Sequence, residues 1–252
     1  MYKSAEIERF MREHLKQRFP TLNVVYRKRF YARLFGPVLQ GLIVGVGKGG
    51  YIRVLPVMYV LGERIDEEEL SPSLSPEITD RKTWHFAEST PLDAAFAKEI
   101  HSRIEKSPVL NLSSAATSTS VEQDIRWFAR DPVDWSAALS LAFFNIIRGV
   151  RGARSDLSNA FERFRNQSRL ATNKPLYDYE VLLCERFKEL EARLDSADCI
   201  ALCRADAENH ARVLKLPPLV WPAEWPTSVP TWPSQPTSTL GNKLRGFLGK
   251  RS

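Results

Sequence analysis

Gly45, Gly47 and Gly50, in the stretch GLIVGVGKGGYIRVLPV (41–57), fit a G-x-G-x-x-G string, and Gly47-Lys48 looks like the end of a phosphate loop. Either motif would hold a nucleotide phosphate on backbone N–H groups. A Walker loop needs glycine five positions before its Gly-Lys pair and Ser or Thr after it; here those positions hold Leu42 and Gly49. A dinucleotide fingerprint needs a helix after its glycines, whereas Tyr51-Ile52-Arg53-Val54-Leu55 reads as a strand. The glycines are expected to turn a hairpin between two apolar strands, where positive φ is required.

Thiol and imidazole chemistry is sparse. Cys199, Cys203 and His210 share one helical face, yet zinc normally takes a fourth ligand and tighter clustering, so the expectation is a helix core. The histidines, His14, His85, His101 and His210, are scattered, with no H-E-x-x-H spacing. No G-x-S-x-G elbow and no nuclease-type carboxylate string occurs. His85, beside Trp84 after an acidic run, is the one histidine that invites a test. The sequence assigns no catalytic residue, cofactor or metal site. Three cysteines without a spaced framework suit a reducing compartment.

Two groups of cations could bind phosphate. From Leu22 the apolar period is two: Val24, Tyr26, Phe30, Ala32 and Leu34 share one strand face. Arg27, Arg29, Tyr31 and Arg33 share the other, which is expected to point outward as a basic face with an aromatic for stacking. Arg148, Arg151 and Arg154 follow the most apolar helix, where they also complement its dipole. The net charge of +6 is concentrated in residues 1–60, with eleven Lys and Arg against three Glu. Residues 61–80 carry seven acids against Arg64 and offer an internal neutraliser. Nucleic-acid binding through these arginines and Tyr31 is the alternative functional reading.

The leading reading comes from the C-terminal sequence. KLPPLVWPAEWPTSVPTWPSQPTST (215–239) is an extended, polyproline-like arm carrying Trp221, Trp225 and Trp232. Its rings either anchor the arm across its own domain or serve as partner hot spots, and an exposed three-tryptophan strip would favour aggregation. Beyond it, Leu240, Leu244, Phe247 and Leu248 fall at helical spacing, with Lys243 and Arg245 interspersed. Such a peptide is too short to be helical alone and would fold on docking. The three tryptophans and these six residues are the candidate protein-partner site, so a non-enzymatic interaction or adaptor protein is expected.

The elements that would position these groups follow from periodicity. Ile7, Phe10, Met11, His14 and Leu15 mark a helix ending before Pro20. Val38–Val46 and Tyr51–Leu61 are strands covered on both sides, the second bending or lying at an edge at Pro56. Thr90 with Pro91 is expected to open a helix buried through Leu92, Phe96, Ile100 and Ile104. SSAATSTS (113–120) reads as a connector. Helices are then expected from Ser120, from Asp131-Pro132, from Ser155, and from Pro175 to Leu214 with a break near Asp195-Ser196.

The helix carrying Trp135–Val150 is apolar on most faces and should be central. The fold class is therefore α+β: an N-terminal helix and a three- or four-stranded antiparallel sheet (1–112), a helical bundle (120–216), and the arm and tail (217–252). The longest apolar run, Ala137–Ile147, is far short of the ~20 residues of a membrane span. No apolar leader opens the sequence, and a cytoplasmic location is expected.

Overall fold

The computed structural model describes residues 2–26, 30–46, 51–63, 84–87, 90–172 and 174–228. The chain is α+β and forms two compact units. The first comprises Met1–Tyr59, Glu69–Asp124 and Ala211–Val220; the second comprises Val60–Glu68, Ile125–His210 and Trp221–Ser252. No helix among the described residues is long and apolar enough to cross a membrane.

In the first unit, α1 (Ser4–Phe10) runs through a π turn (Met11–Leu15) into α2 (Lys16–Arg18). The wider turn, closed by the Lys16 N–H on the Met11 carbonyl, keeps Met11 and Leu15 on the buried side with Ile7 and Phe10. The sheet has the order β1 (Val24–Tyr26), β2 (Phe30–Phe35), β3 (Val38–Val46), β4 (Ile52–Val60), β5 (Trp84–Phe86). β1 pairs antiparallel with β2, β2 with β3, and β4 with β5. Pro56 lies past Ile52–Val54, the part of β4 that β5 pairs, so its missing donor breaks no bond of that ladder.

Both faces of the sheet are covered. Tyr31, Leu42, Val44, Ile52, Val54 and Phe86 pack with the N-terminal helix and with Phe96, Ala97, Ile100 and Ile104 of α3 (Ala94–Glu105). Val24, Phe30, Ala32, Leu39, Val57 and Tyr59 form the core of the other face, with Leu216 against it. Gly41 is where strands approach most closely: a Cβ there would lie 2.1 Å from the Tyr31 carbonyl oxygen.

Two local expectations are corrected here. Residues 22–34 are not one strand: Val24–Tyr26 pairs antiparallel with Phe30–Ala32, yet the expected apolar face holds, since Val24, Phe30 and Ala32 pack in one core with Tyr26 and Leu34 against it. The α3 cap is Asp93, not Thr90; its Oδ1 accepts the Ala95 and Phe96 N–H groups at 2.9 and 3.0 Å.

α4 (Ser118–Ala129) begins two residues before the expected Ser120. The chain then builds α5 (Trp135–Ile147), α6 (Ala153–Gln167), a 3-10 turn (Arg169–Thr172), α7 (Asp178–Arg193) and α8 (Cys199–Val213), all in the second unit except the last three residues of α8. Every residue from Ala137 to Ile147 is buried, as an all-round apolar helix requires. Its cap is Asp134, whose Oδ1 accepts the Ala137 N–H at 2.9 Å, while Asp131 holds the turn before it through the Val133 N–H. Phe161, Phe164 and Phe187 pack ring against ring at 5.3–6.5 Å between centroids and lock α6 to α7. The break between α7 and α8 falls at residues 194–198, around Asp195-Ser196 as expected.

Candidate interaction site at the arm anchor

α8 presents Arg204 and Glu208 one turn apart, so both side chains reach from the same stripe. The arm crosses them. Trp221 Nε1 donates to Glu208 Oε1 at 2.8 Å, and the Arg204 guanidinium sits 4.9 Å from the Trp221 ring centroid. The same guanidinium donates through Nη2 to the Pro226 carbonyl oxygen at 2.8 Å. Burial moves Arg204 below its ordinary pKa, and Glu208 opposes that shift.

The arm folds into a turn between these ties, closed by the Trp225 N–H on the Pro222 carbonyl at 3.1 Å. That turn drives Trp225 inward until it is 5% exposed, edge-on to Phe144 of α5 at 5.4 Å and 85°. Arg148 stands over the same Phe144 ring at 5.1 Å. Trp221 and Trp225 therefore hold the arm to its own unit. Trp232, Leu240, Lys243, Leu244, Arg245, Phe247 and Leu248 lie outside the described residues.

The expectation of an outward basic strand face is also corrected. Tyr31 and Arg33 are 6% and 5% exposed, because the face once read as outward is covered. Tyr31 belongs to the core under the N-terminal helix and α3. Arg33 donates to Gln40 Oε1 from Nε (3.1 Å) and Nη2 (2.9 Å), and also to the carbonyls of Asn111 and Ser114. Gln40 Nε2 in turn donates to Asp124 Oδ2 at 2.9 Å, whose other oxygen accepts the Leu110 N–H at 2.9 Å. Burial lowers the Arg33 pKa and raises that of Asp124, each pulled back by its partners. Arg27 and Arg29 lie outside the described residues. Of the other three arginines, Arg151 is exposed, Arg148 rests on Phe144, and Arg154 pairs with Asp195 at 2.5 Å.

No protein-family model, curated protein or solved structure matches the chain. Its own geometry has to carry the reading.

The residues singled out for site chemistry sit in structural roles. His210 Nδ1 accepts the Gly62 N–H at 3.0 Å. His101 lies between Ser113 Oγ (3.2 Å) and Glu105 (3.3 Å), with the Phe19 ring tilted against it at 5.1 Å. His85 is in β5, and its side chain lies outside the described residues. After the glycine string comes β4, a strand, and a Cβ on Gly45 would meet nothing within 4 Å. Gly47 and Gly50 lie outside the described residues. No group of three or more metal-ligating side chains occurs among the described residues.

Sequence reasoning missed Arg204 and Glu208 as the arm's receptor. An Arg and a Glu at i, i+4 read locally as a solvated helix pair, and only the arm's return brings indole and carbonyl against them. It also missed Arg186 as a clamp on the α8 side. That guanidinium donates to the Gly62 and Glu63 carbonyls, and to Asp206 at 2.8 Å and Glu189 at 2.7 Å. Ser140 of α5 donates to the Glu63 carboxylate beside it.

Proposed function

We propose that this chain is a non-enzymatic interaction protein that docks on a protein partner through its C-terminal tail, residues 238–252. The observation that supports the reading most directly is the Arg204–Pro226 tie. It fixes the base of the arm at a defined point, and the amphipathic stretch Leu240, Leu244, Phe247 and Leu248 with Lys243 and Arg245 follows within a short tether. A pinned start raises the effective concentration of a tethered peptide near a surface held by the same body. Trp221 and Trp225 then belong to the anchor, and Trp232 with the tail to recognition.

The distribution of buried charge points the same way. Arg33, Asp124 and Arg186 are engaged by backbone carbonyls and N–H groups as ties between distant segments. The nucleic-acid alternative loses Tyr31 and Arg33 to the interior, so no second reading is carried.

The test compares the full chain with a chain ending at Thr237 and with a Leu244→Glu/Phe247→Glu variant, each used as bait in cell extract. Loss of the same protein from both altered baits supports the proposal. Equal recovery by all three baits overturns it.

A further inference from the structure

The start of α7 carries a group of exposed apolar side chains away from the arm anchor. Tyr177, Tyr179 and Leu182 are 50%, 57% and 46% exposed, and Tyr179 and Leu182 share one helix stripe at i, i+3. The Tyr177 and Tyr179 rings stack at 5.8 Å and 17°. Arg169 backs the pair. Its guanidinium lies 3.5 Å from the Tyr177 ring centroid and donates to the Tyr177 hydroxyl and, at 3.1 Å, to the Pro175 carbonyl. Buried Glu180 fixes both backbones: one carboxylate oxygen accepts the Arg169 N–H and the other the Tyr177 N–H, each at 2.9 Å. We propose that this face is the seat of the chain's own arm, residues 229–237, docked as a polyproline II ridge.

The occupant follows from its chemistry. Residues 229–237 read VPTWPSQPT, so Pro230, Pro233 and Pro236 recur at every third position. Polyproline II has three residues per turn, which puts these three rings on one edge and Trp232 off it. Such a ridge is recognised by surfaces of exposed aromatic rings, at low entropic cost because the helix is already extended before it binds. Its backbone carbonyls have no internal donors. The Tyr179 hydroxyl has no partner among the described residues and can donate to one of them. A ring pair already fixed by Arg169 and Glu180 loses little freedom on docking.

The tether is long enough. Arg204, which holds the Pro226 carbonyl, lies two residues from Asp206, and Arg186 of α7 clasps Asp206 at 2.8 Å. Tyr179 precedes Arg186 by seven residues, about 10 Å along the helix. The ten residues from Pro226 to Pro236 span about 31 Å as polyproline II. The prolines therefore reach the tyrosines without releasing the Arg204–Pro226 tie. Seating 229–237 leaves Trp232 and the tail from residue 238 outward. The inference goes beyond the tail-docking proposal and does not depend on it.

The test is hydroxyl-radical footprinting of the full chain against a full-length Pro230→Ser/Pro233→Ser/Pro236→Ser variant. Oxidation is read by mass spectrometry in the tryptic peptide Leu170–Arg186. At the effective concentration of so short a tether the docked form predominates, so Tyr179 and Leu182 should oxidise about threefold faster in the variant. Leu202 on α8, 40% exposed, is the internal reference for folding and dose and should not change. Equal rates at Tyr179 and Leu182 in the two chains would overturn the proposal. Both proteins are also labelled over an about hundredfold range of dilution. Protection that persists on dilution supports docking within one chain. Protection that is lost on dilution would seat the ridge on a second copy and overturn the assignment.

Discussion

Arg33 and Asp124 are joined through Gln40: one amide oxygen receives two guanidinium N–H bonds, and the amide nitrogen donates to the carboxylate at 2.9 Å. The three residues tie β2, β3 and α4 of the first unit together in a place with almost no water. Removing the bridge strands a cation and an anion, so Gln40→Leu is expected to lower stability by about 3 kcal/mol, the scale of a broken buried charge pair. Urea unfolding of the variant against the parent measures it, and a change within error would remove the network from any account of the fold.

The same network has a pH signature. Burial raises the Asp124 pKa above its ordinary 3.8, with Leu110, Gln40 and Arg33 pulling it back. For a raised carboxyl, the stability it contributes is fully present below the ordinary value and is lost as pH rises through the folded one. The parent's advantage over Asp124→Asn should therefore be larger near about pH 4 than near about pH 7. Urea midpoints of both proteins at the two pH values decide the sign.

Trp225 is the deep anchor of the arm and Arg204 its clasp. Trp225→Ala should free 221–228 while leaving the bundle folded, costing about 3 kcal/mol or more of local stability. Arg204→Ala, which loses a cation–π contact and a hydrogen bond to the Pro226 carbonyl, should cost about 1–2 kcal/mol. Hydrogen exchange at the Trp225 amide, bonded to Pro222, reports both. Unchanged protection in Trp225→Ala would mean that another contact holds the arm.

Gly62 has φ +86, and a Cβ there would come within 2.6 Å of the Ala207 nitrogen in α8. Its N–H meets His210 and its carbonyl meets Arg186, so the backbone cannot shift away cheaply. Gly62→Ala combines left-handed strain with a backbone clash and is expected to cost about 2–3 kcal/mol. Thermal or urea unfolding tests this, and a neutral substitution would show that α8 can retreat.

Cys184 offers a window at high pH. Burial pushes its thiol up from 9.0 to about 11. Its stabilising contribution is full below pH 9.0 and is lost as pH rises through about 11. The stability difference between the parent and Cys184→Ala should shrink across that interval, while other titrating groups cancel. A flat difference would mean the thiol is more hydrated than its packing suggests.

Periodicity alone determined a good deal. The α+β class, the helix that is apolar all round, the strand after the glycines and the break near Asp195-Ser196 were all legible, because each is a statement about which faces of one segment avoid water. Helix starts were read less well: Thr90 and Asp131 look like caps, but Asp93 and Asp134 do the capping, since a side chain must reach a free N–H two or three residues on.

Only the tertiary structure decided what covers a face and which distant group answers a charge. Alternation along 22–34 could not reveal that it divides into two paired strands, β1 and β2, nor that the N-terminal helix and α3 lie over Tyr31. Arg33 finds its acceptors on Gln40, Asn111 and Ser114, and the tryptophans find theirs on α5 and α8, all through contacts between segments far apart in sequence. Local sequence sets the period of burial; the identity of the covering partner is a long-range property, fixed when the segments pack.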